Sequence, residues 1–94
     1  MTARLRVRVR EVLSFLHIED AGLLEALRAE GLFLEEELAP DAAEELRVAA
    51  SLMQELGVNP AGVEVALHLR RRLACLEDRL REVLERLAEE RSRG

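Results

Sequence analysis

Aromatic residues are scarce in this chain, which has no tryptophan, no tyrosine and only two phenylalanines among its 94 residues. β-Sandwiches and β-barrels draw heavily on aromatic and β-branched side chains, so this scarcity argues against an all-β fold. Leucine and alanine, in contrast, occur nineteen and thirteen times, and both favour helices. The composition therefore predicts an all-α protein of about one domain's size.

Lysine is absent as well. All fourteen cationic residues are arginines, and nineteen acidic residues outnumber them to give a formal net charge of −5. A protein that binds nucleic acid needs a basic surface to neutralise phosphates, and this charge balance does not supply one. We therefore expect no nucleic-acid partner on composition alone.

The chain also lacks the paired cysteines typical of oxidising compartments and the apolar runs typical of membrane spans and signal peptides. The single cysteine, Cys75, cannot form an intrachain disulfide or a cysteine metal cluster. No run approaches the ~18 consecutive apolar residues of a membrane span, and none of signal-peptide length follows the N-terminal charges. The expectation is a cytoplasmic protein without membrane association.

Motifs for catalysis and cofactor binding are missing too. Neither His17 nor His68 has a histidine or cysteine partner at helical spacing. The sequence has no glycine-rich phosphate loop, no nucleophile elbow and no Cys/His/Asp set. We predict that the protein is not an enzyme and that it carries no cofactor or metal.

Hydrophobic periodicity divides the first half of the chain into short elements. Residues 4–10 alternate arginine and apolar side chains, which predicts a short N-terminal strand or an extended arm. Two short helices follow, the second between Asp20 and Gly31. Pro40 and Asp41 are predicted to open a third helix, in which Asp41 and Glu44 resemble a capping box. The apolar spacing that suits a short first helix of about two turns is that of Val12, Leu13, Phe15, Leu16 and Ile18. The predicted core residues of the third helix are Leu46, Ala49, Ala50, Met53 and Leu56.

The clearest helix boundary in the sequence lies just after Gly57, which ends the third helix. Asn59 is a strong N-cap residue, and Pro60 fits the first position of a helix because its missing N–H is harmless there. No helix breaker follows the first turn until the last residue, so this fourth helix should extend roughly 45 Å. We accordingly divide the chain into a helical domain, residues 1–58, and a long helix, residues 59–94.

The long helix carries a heptad repeat that predicts a left-handed coiled coil when Ala66 is assigned to position a. Arg72, Arg79 and Arg86 all fall at position g, and Glu77 is the one acidic residue at e to answer them. A parallel homodimer is disfavoured for that reason, and an antiparallel pairing or a heterologous partner is favoured. The predicted seam for self-association or for a partner helix comprises Leu69, Leu73, Leu76, Leu80, Val83 and Leu87.

Residues 55–65 (ELGVNPAGVEV) resemble a stretch shared by MerR-like heat-shock repressors and CbpM-type chaperone modulators. Residues 28–33 resemble the end of the second helix in the same domains. The predicted order of elements over residues 8–88 is also similar to the MerR-like winged-helix family. The resemblance implies a degenerate MerR-like helix-turn-helix domain followed by a long coiled-coil helix.

The departures from the MerR pattern concern the residues that would contact DNA. Where a MerR-type reader has arginine and aromatic residues on its second helix, this chain has Glu25, Ala26 and Leu27. Where the wing carries arginine and tyrosine, the chain has three glutamates, residues 35–37. An acidic residue facing phosphate repels it. The resemblance therefore implies a CbpM-type modulator, with a MerR-like regulator of heat-shock genes as the alternative.

CbpM-type proteins act by binding a J-domain co-chaperone of the DnaK system. The resemblance thus implies a non-enzymatic cofactor that binds a DnaJ-type protein, with DnaK as a second candidate partner, and that regulates or assembles their complex. J-domains present a basic helix, so carboxylates around the altered wing form the predicted docking surface. Its members are Glu35, Glu36, Glu37, Glu44 and Glu45.

Overall fold

The computed structural model describes residues 5–94 as four helices and one small sheet. The predicted all-α architecture with a short N-terminal strand is confirmed. Arg4, which belongs to the alternating N-terminal segment, lies outside the described residues. In chain order the elements are β1 (Val7–Arg8), α1 (Val9–Phe15), α2 (Ala21–Ala29), β2 (Glu37–Leu38), α3 (Pro40–Gln54) and α4 (Pro60–Arg93).

The sheet joins the N-terminal segment to the connection between α2 and α3. β1 pairs antiparallel with β2, and Val7 lies opposite Leu38. The sequence pattern predicts the alternation to continue through Arg10, but the extended conformation ends earlier. Val9 already begins α1, and its N–H donates to the Glu36 carbonyl at 2.9 Å. This bond and the two-residue ladder hold the connection against the start of α1.

Both short helices end in a Schellman motif, in which a left-handed residue follows the helix. After α2 this residue is Gly31, with φ of 83°, as the sequence predicts. The Gly31 N–H donates to the Arg28 carbonyl at 2.9 Å, and the Leu32 N–H donates to the Leu27 carbonyl at 3.0 Å. After α1 the same position holds His17, with φ of 60°. A side chain at such a φ is strained, so His17 costs stability that a glycine would not.

Replacing His17 with glycine is expected to raise the free energy of unfolding by about 1 kcal/mol, because the strain is relieved and the imidazole is exposed. Urea unfolding followed by far-UV circular dichroism measures this change. Gly31→Ala is the matched control. Its new Cβ meets no atom within 4 Å, so backbone strain alone should lower stability by a similar amount. A loss of stability in His17→Gly would contradict the interpretation.

α3 begins at Pro40, as the sequence predicts, but its N-terminal cap differs from the prediction. Ala39 is the N-cap residue, no side chain bonds to the cap, and Pro40 is the first helical residue. The predicted capping box is therefore wrong: Asp41 already lies inside the first turn, and Glu44 is bonded to Arg47 instead. Proline at the first position serves as the start signal, since it needs no N–H partner there.

Two apolar residues of the predicted helical patterns are exposed, and the pattern predicts burial for one of them, Leu56. Phe15, at the last position of α1, is 82% exposed, and Leu56, which follows the end of α3, is 71% exposed. Phe15 is the last residue of α1 and Leu56 lies past the end of α3, so neither side chain has a following helical turn to place it against the core.

α4 begins as the sequence predicts and continues without a break. The Asn59 side chain accepts a hydrogen bond from the Gly62 N–H at 2.7 Å, and Pro60 follows as the first helical residue. The helix runs for 34 residues to Arg93. It is therefore about 51 Å long, and the whole molecule has a long axis of 60 Å.

The hydrophobic core occupies one end of the molecule. It extends past the 58/59 boundary of the sequence-based division, because Val63 and Leu67 in the first two turns of α4 are fully buried. We call residues 5–67 the head and residues 68–93 the distal helix. The core residues are Val9, Leu13, Ile18, Leu23, Leu24, Leu27, Leu38, Leu46, Ala49, Ala50, Val63 and Leu67.

Candidate functional site

The five carboxylates of the predicted docking surface lie on two consecutive parts of the head. Glu35 and Glu36 lie in the connection before β2, Glu37 lies in β2, and Glu44 and Glu45 lie near the start of α3. The side chains of Glu35 and Glu36 are 75% and 69% exposed, whereas that of Glu45 is 14% exposed. The first three are therefore accessible to a partner, and Glu45 largely is not.

Intrachain ion pairs involve most of these carboxylates. Glu35 lies 3.5 Å from Arg6, and Glu36 lies 3.5 Å from Arg28. Exposed pairs at such distances contribute about 0–1 kcal/mol, so the carboxylates can exchange one cation for another at little cost. Glu37 forms no ion pair with any of residues 5–94, and its side chain is exposed. Segment 35–37 thus presents carboxylates that can form ion pairs with cationic side chains of a partner.

Glu45 makes a contact with α4 that no local sequence pattern predicts. Its carboxylate accepts two hydrogen bonds from Arg71, at 2.7 Å from Nε and 2.9 Å from Nη2. These two side chains join α3 to α4 across 26 residues of sequence. The bond also raises the pKa of the Arg71 guanidinium above its ordinary value. Glu45 therefore fixes the direction of α4 and is a poor candidate for docking.

Glu45→Gln is expected to lower the free energy of unfolding by about 1 kcal/mol, because a bidentate charged contact between two helices is lost. Urea unfolding measures this effect, and Glu37→Gln is the control that should leave stability unchanged. A double-mutant cycle with Arg71→Gln isolates the pair. If the two single changes add without coupling, the contact does not stabilise the head.

Glu44 pairs within α3, where its carboxylate accepts a hydrogen bond from Arg47 Nε at 3.0 Å. This bond lowers the pKa of the Glu44 carboxyl, and the charges of Arg47 and Arg70 lower it further. A group whose pKa is lower in the folded state stabilises the fold above its unfolded pKa. That contribution is lost as the pH falls through the folded pKa.

The pKa of Glu44 is expected to rise in Arg47→Gln, because the variant removes its hydrogen bond and its nearest positive charge. Carboxyl-carbon NMR titration of the two proteins measures the change directly. Arg86→Gln, a change on the distal helix, is the control. An identical Glu44 titration in the wild type and in Arg47→Gln would mean that the pair does not persist in solution.

Arg28 is an important residue that sequence reasoning missed. It lies in the last turn of α2, and its Nε donates to the Phe33 carbonyl at 2.8 Å. Its Nη2 also lies 3.4 Å from the Glu35 carbonyl oxygen. Phe33 has a positive φ of 53°, so the arginine holds the connection at its strained residue. The arginine of α2 is thereby committed to shaping the acidic segment.

The exposed face of α2 carries no free cation. Glu25 is exposed and Ala26 is half-buried, but Leu27 is fully buried and cannot face an external ligand. Leu27 therefore does not belong to the surface that the MerR resemblance assigns to DNA contact. The exposed residues of α2 are Ala21, Gly22, Glu25 and Ala29.

Charge is divided between the two parts of the molecule. The head has thirteen acidic residues and five arginines, a formal net charge of −8. The distal helix has six acidic residues and eight arginines, a formal net charge of +2. The two regions therefore attract partners of different charge.

The distal helix carries the six seam residues predicted from the heptad repeat on one face. All six are between 51% and 59% exposed, and no other described element packs against them. Leu84, which is 55% exposed, widens this apolar face. We call the six residues the apolar stripe. Monomeric proteins rarely leave so long a row of leucines in water, so the stripe has the character of an interaction surface.

Among residues 5–94, no group of three His, Cys, Asp or Glu side chains is placed to hold a metal ion. No helix in that range is both long and apolar enough to cross a membrane. No family model, curated protein or solved structure matches the chain.

Proposed function

We propose that the protein is a non-enzymatic chaperone cofactor of the cytoplasm. Its head binds a DnaJ-type co-chaperone and thereby regulates or assembles the DnaK–DnaJ complex. The resemblance of residues 55–65 to CbpM-type modulators motivates the proposal. The observation that carries it is the run of exposed carboxylates at residues 35–37, in a head with a formal net charge of −8.

The geometry of the head explains how such a contact would form. Arg28 and the β1–β2 ladder fix the backbone on both sides of the acidic segment, so it is ordered before a partner arrives. A preorganised surface loses less entropy on binding. The basic helix of a J-domain would replace Arg6 beside Glu35, because that ion pair is exposed and weak. Arg28 keeps its hydrogen bond to the Phe33 carbonyl, so the segment stays ordered during the exchange.

A MerR-like transcriptional regulator is the alternative that the resemblance leaves open. DNA binding requires cations on the second helix or the wing to contact phosphates. On α2 the exposed surface carries Glu25, while Arg28 is bonded to the backbone of the connection. These contacts favour a protein ligand over a duplex.

Isothermal titration of the full-length chain with a purified DnaJ-type protein tests the proposal. We expect binding at about 50 mM salt that weakens at least tenfold by about 300 mM, because opposite charges form the contact. A gel-shift assay with heat-shock promoter DNA is the parallel test. Specific DNA binding together with no binding of the DnaJ-type protein at low salt would overturn the proposal in favour of the regulator.

A further inference from the structure

The flanks of the apolar stripe restrict what can cover it. In the heptad frame the residues beside the seam lie at positions e and g, which choose the partner of a coiled coil. Six of these eight side chains are arginines, one is acidic and one is apolar. They are Arg70, Glu77, Leu84 and Arg91 at e, and Arg72, Arg79, Arg86 and Arg93 at g.

The four arginines at g are available to a partner. None of them lies within ion-pair distance of an acidic group in residues 5–94. In the described residues α4 makes two ion pairs, Arg71 with Glu45 and Arg81 with Asp78. These two arginines lie at heptad positions f and b, away from the seam. The arginines beside the stripe therefore form an uncompensated positive edge.

A second copy in antiparallel orientation places like charges together. The best overlap of the stripe sets Leu76 of one helix against Leu80 of the other. In that register g faces g and e faces e. Arg72 then meets Arg86 of the second copy, Arg79 meets its own equivalent, and Glu77 does the same. Every charged flanking pair is repulsive, although an antiparallel pairing was one arrangement that the sequence favoured.

A second copy in parallel orientation is little better. Position g of one helix then faces position e of the next heptad in the other. Arg72 meets Glu77 of the second copy, which is attractive, but Arg86 meets Arg91, which is repulsive. Arg79 faces Leu84 and gains no ion pair. Attraction and repulsion cancel, and most arginines of the positive edge find no acidic residue on the second copy.

We infer that the stripe is a docking site for an amphipathic helix of another protein, with apolar residues at its seam and acidic residues on its flanks. The acidic flanks of such a helix can form an ion pair with every arginine at g. Covering six half-exposed side chains removes roughly 600 Å² from each helix, about 1,200 Å² in total, which reaches the range of specific interfaces. The protein would then join two partners of opposite charge, one at the head and one on the distal helix.

A synthetic peptide of about four heptads, with leucine at a and d and glutamate at e and g, is the probe. The matched control peptide has lysine at e and g. Fluorescence anisotropy with the full-length chain should give at least tenfold tighter binding of the glutamate peptide, weakening with salt. The preference should reverse in the triple variant Arg72→Glu, Arg79→Glu and Arg86→Glu. Equal affinity for the two peptides, or no reversal in the variant, would overturn the inference.

Sedimentation equilibrium of the chain alone tests whether a second copy, and not another protein, covers the stripe. We expect a monomer at about 50 mM salt and weak association at about 500 mM, because salt screens the repulsion between arginine rows. Leu76→Asp should abolish that association and the peptide binding while α4 stays helical by circular dichroism. A dimer that is stable at low salt and that the glutamate peptide does not displace would overturn the inference. These results are independent of whether the head binds a DnaJ-type protein.

Discussion

Truncating Leu27 to alanine is expected to lower the free energy of unfolding of the head by about 3–4 kcal/mol. Leu27 is among the largest fully buried side chains of the core, so truncation to alanine removes apolar contacts and leaves a cavity. Small domains have little stability to spare, so this change removes a large part of it. Urea unfolding followed by far-UV circular dichroism measures the loss.

Leu56→Ala is the matched control for that change. It removes the same atoms from a side chain that is 71% exposed, so the free energy of unfolding should change by no more than about 0.5 kcal/mol. Comparable losses in the two variants would mean that the core does not centre on α2.

Reversing the charge of the acidic segment, with Glu35, Glu36 and Glu37 all changed to arginine, is expected to weaken binding of a DnaJ-type protein at least tenfold. Carboxylates that attract a basic helix become cations that repel it, and a tenfold loss corresponds to about 1.4 kcal/mol. Isothermal titration at low salt measures the change. The neutral variant with glutamine at the three positions should show an intermediate loss.

The control for charge reversal is a second triple variant with the same net charge, in which Glu82, Glu85 and Glu89 of the distal helix become arginine. These residues are exposed and lie away from the apolar stripe. If both triple variants lose the same affinity, binding responds to overall charge, and the acidic segment is not the docking surface. Thermal unfolding of both proteins shows whether the reversed segment still folds.

Local signals in the sequence predicted much of the fold. The start of α4 could be read from Asn59 and Pro60 because a cap and a first-turn proline act within a few residues. Gly31 marked the end of α2 for the same reason. His17 occupies an equivalent left-handed position, but nothing in the sequence distinguishes it from an ordinary helical or loop histidine. The structure alone reveals that turn.

Contacts between distant residues could not be predicted. β2 is two residues long and exists because β1 lies beside it, so its own sequence carries no strand pattern. The pairing of Glu45 with Arg71 depends on how α3 packs against α4, and it removes one residue from the predicted docking surface. The role of Arg28 likewise depends on the path of the chain after Gly31. The exposed apolar row on α4, in contrast, follows from the heptad repeat alone, and its pairing with another helix stays a prediction.

The most direct test of the account is an NMR titration of the isotope-labelled chain with the J-domain of a DnaJ-type protein. The account predicts that the largest amide shift changes fall at residues 35–37 and at the adjacent start of α3, and that they diminish with salt. Changes concentrated on the exposed face of α2, or no changes at low salt, would contradict the claim that the acidic head is the binding surface.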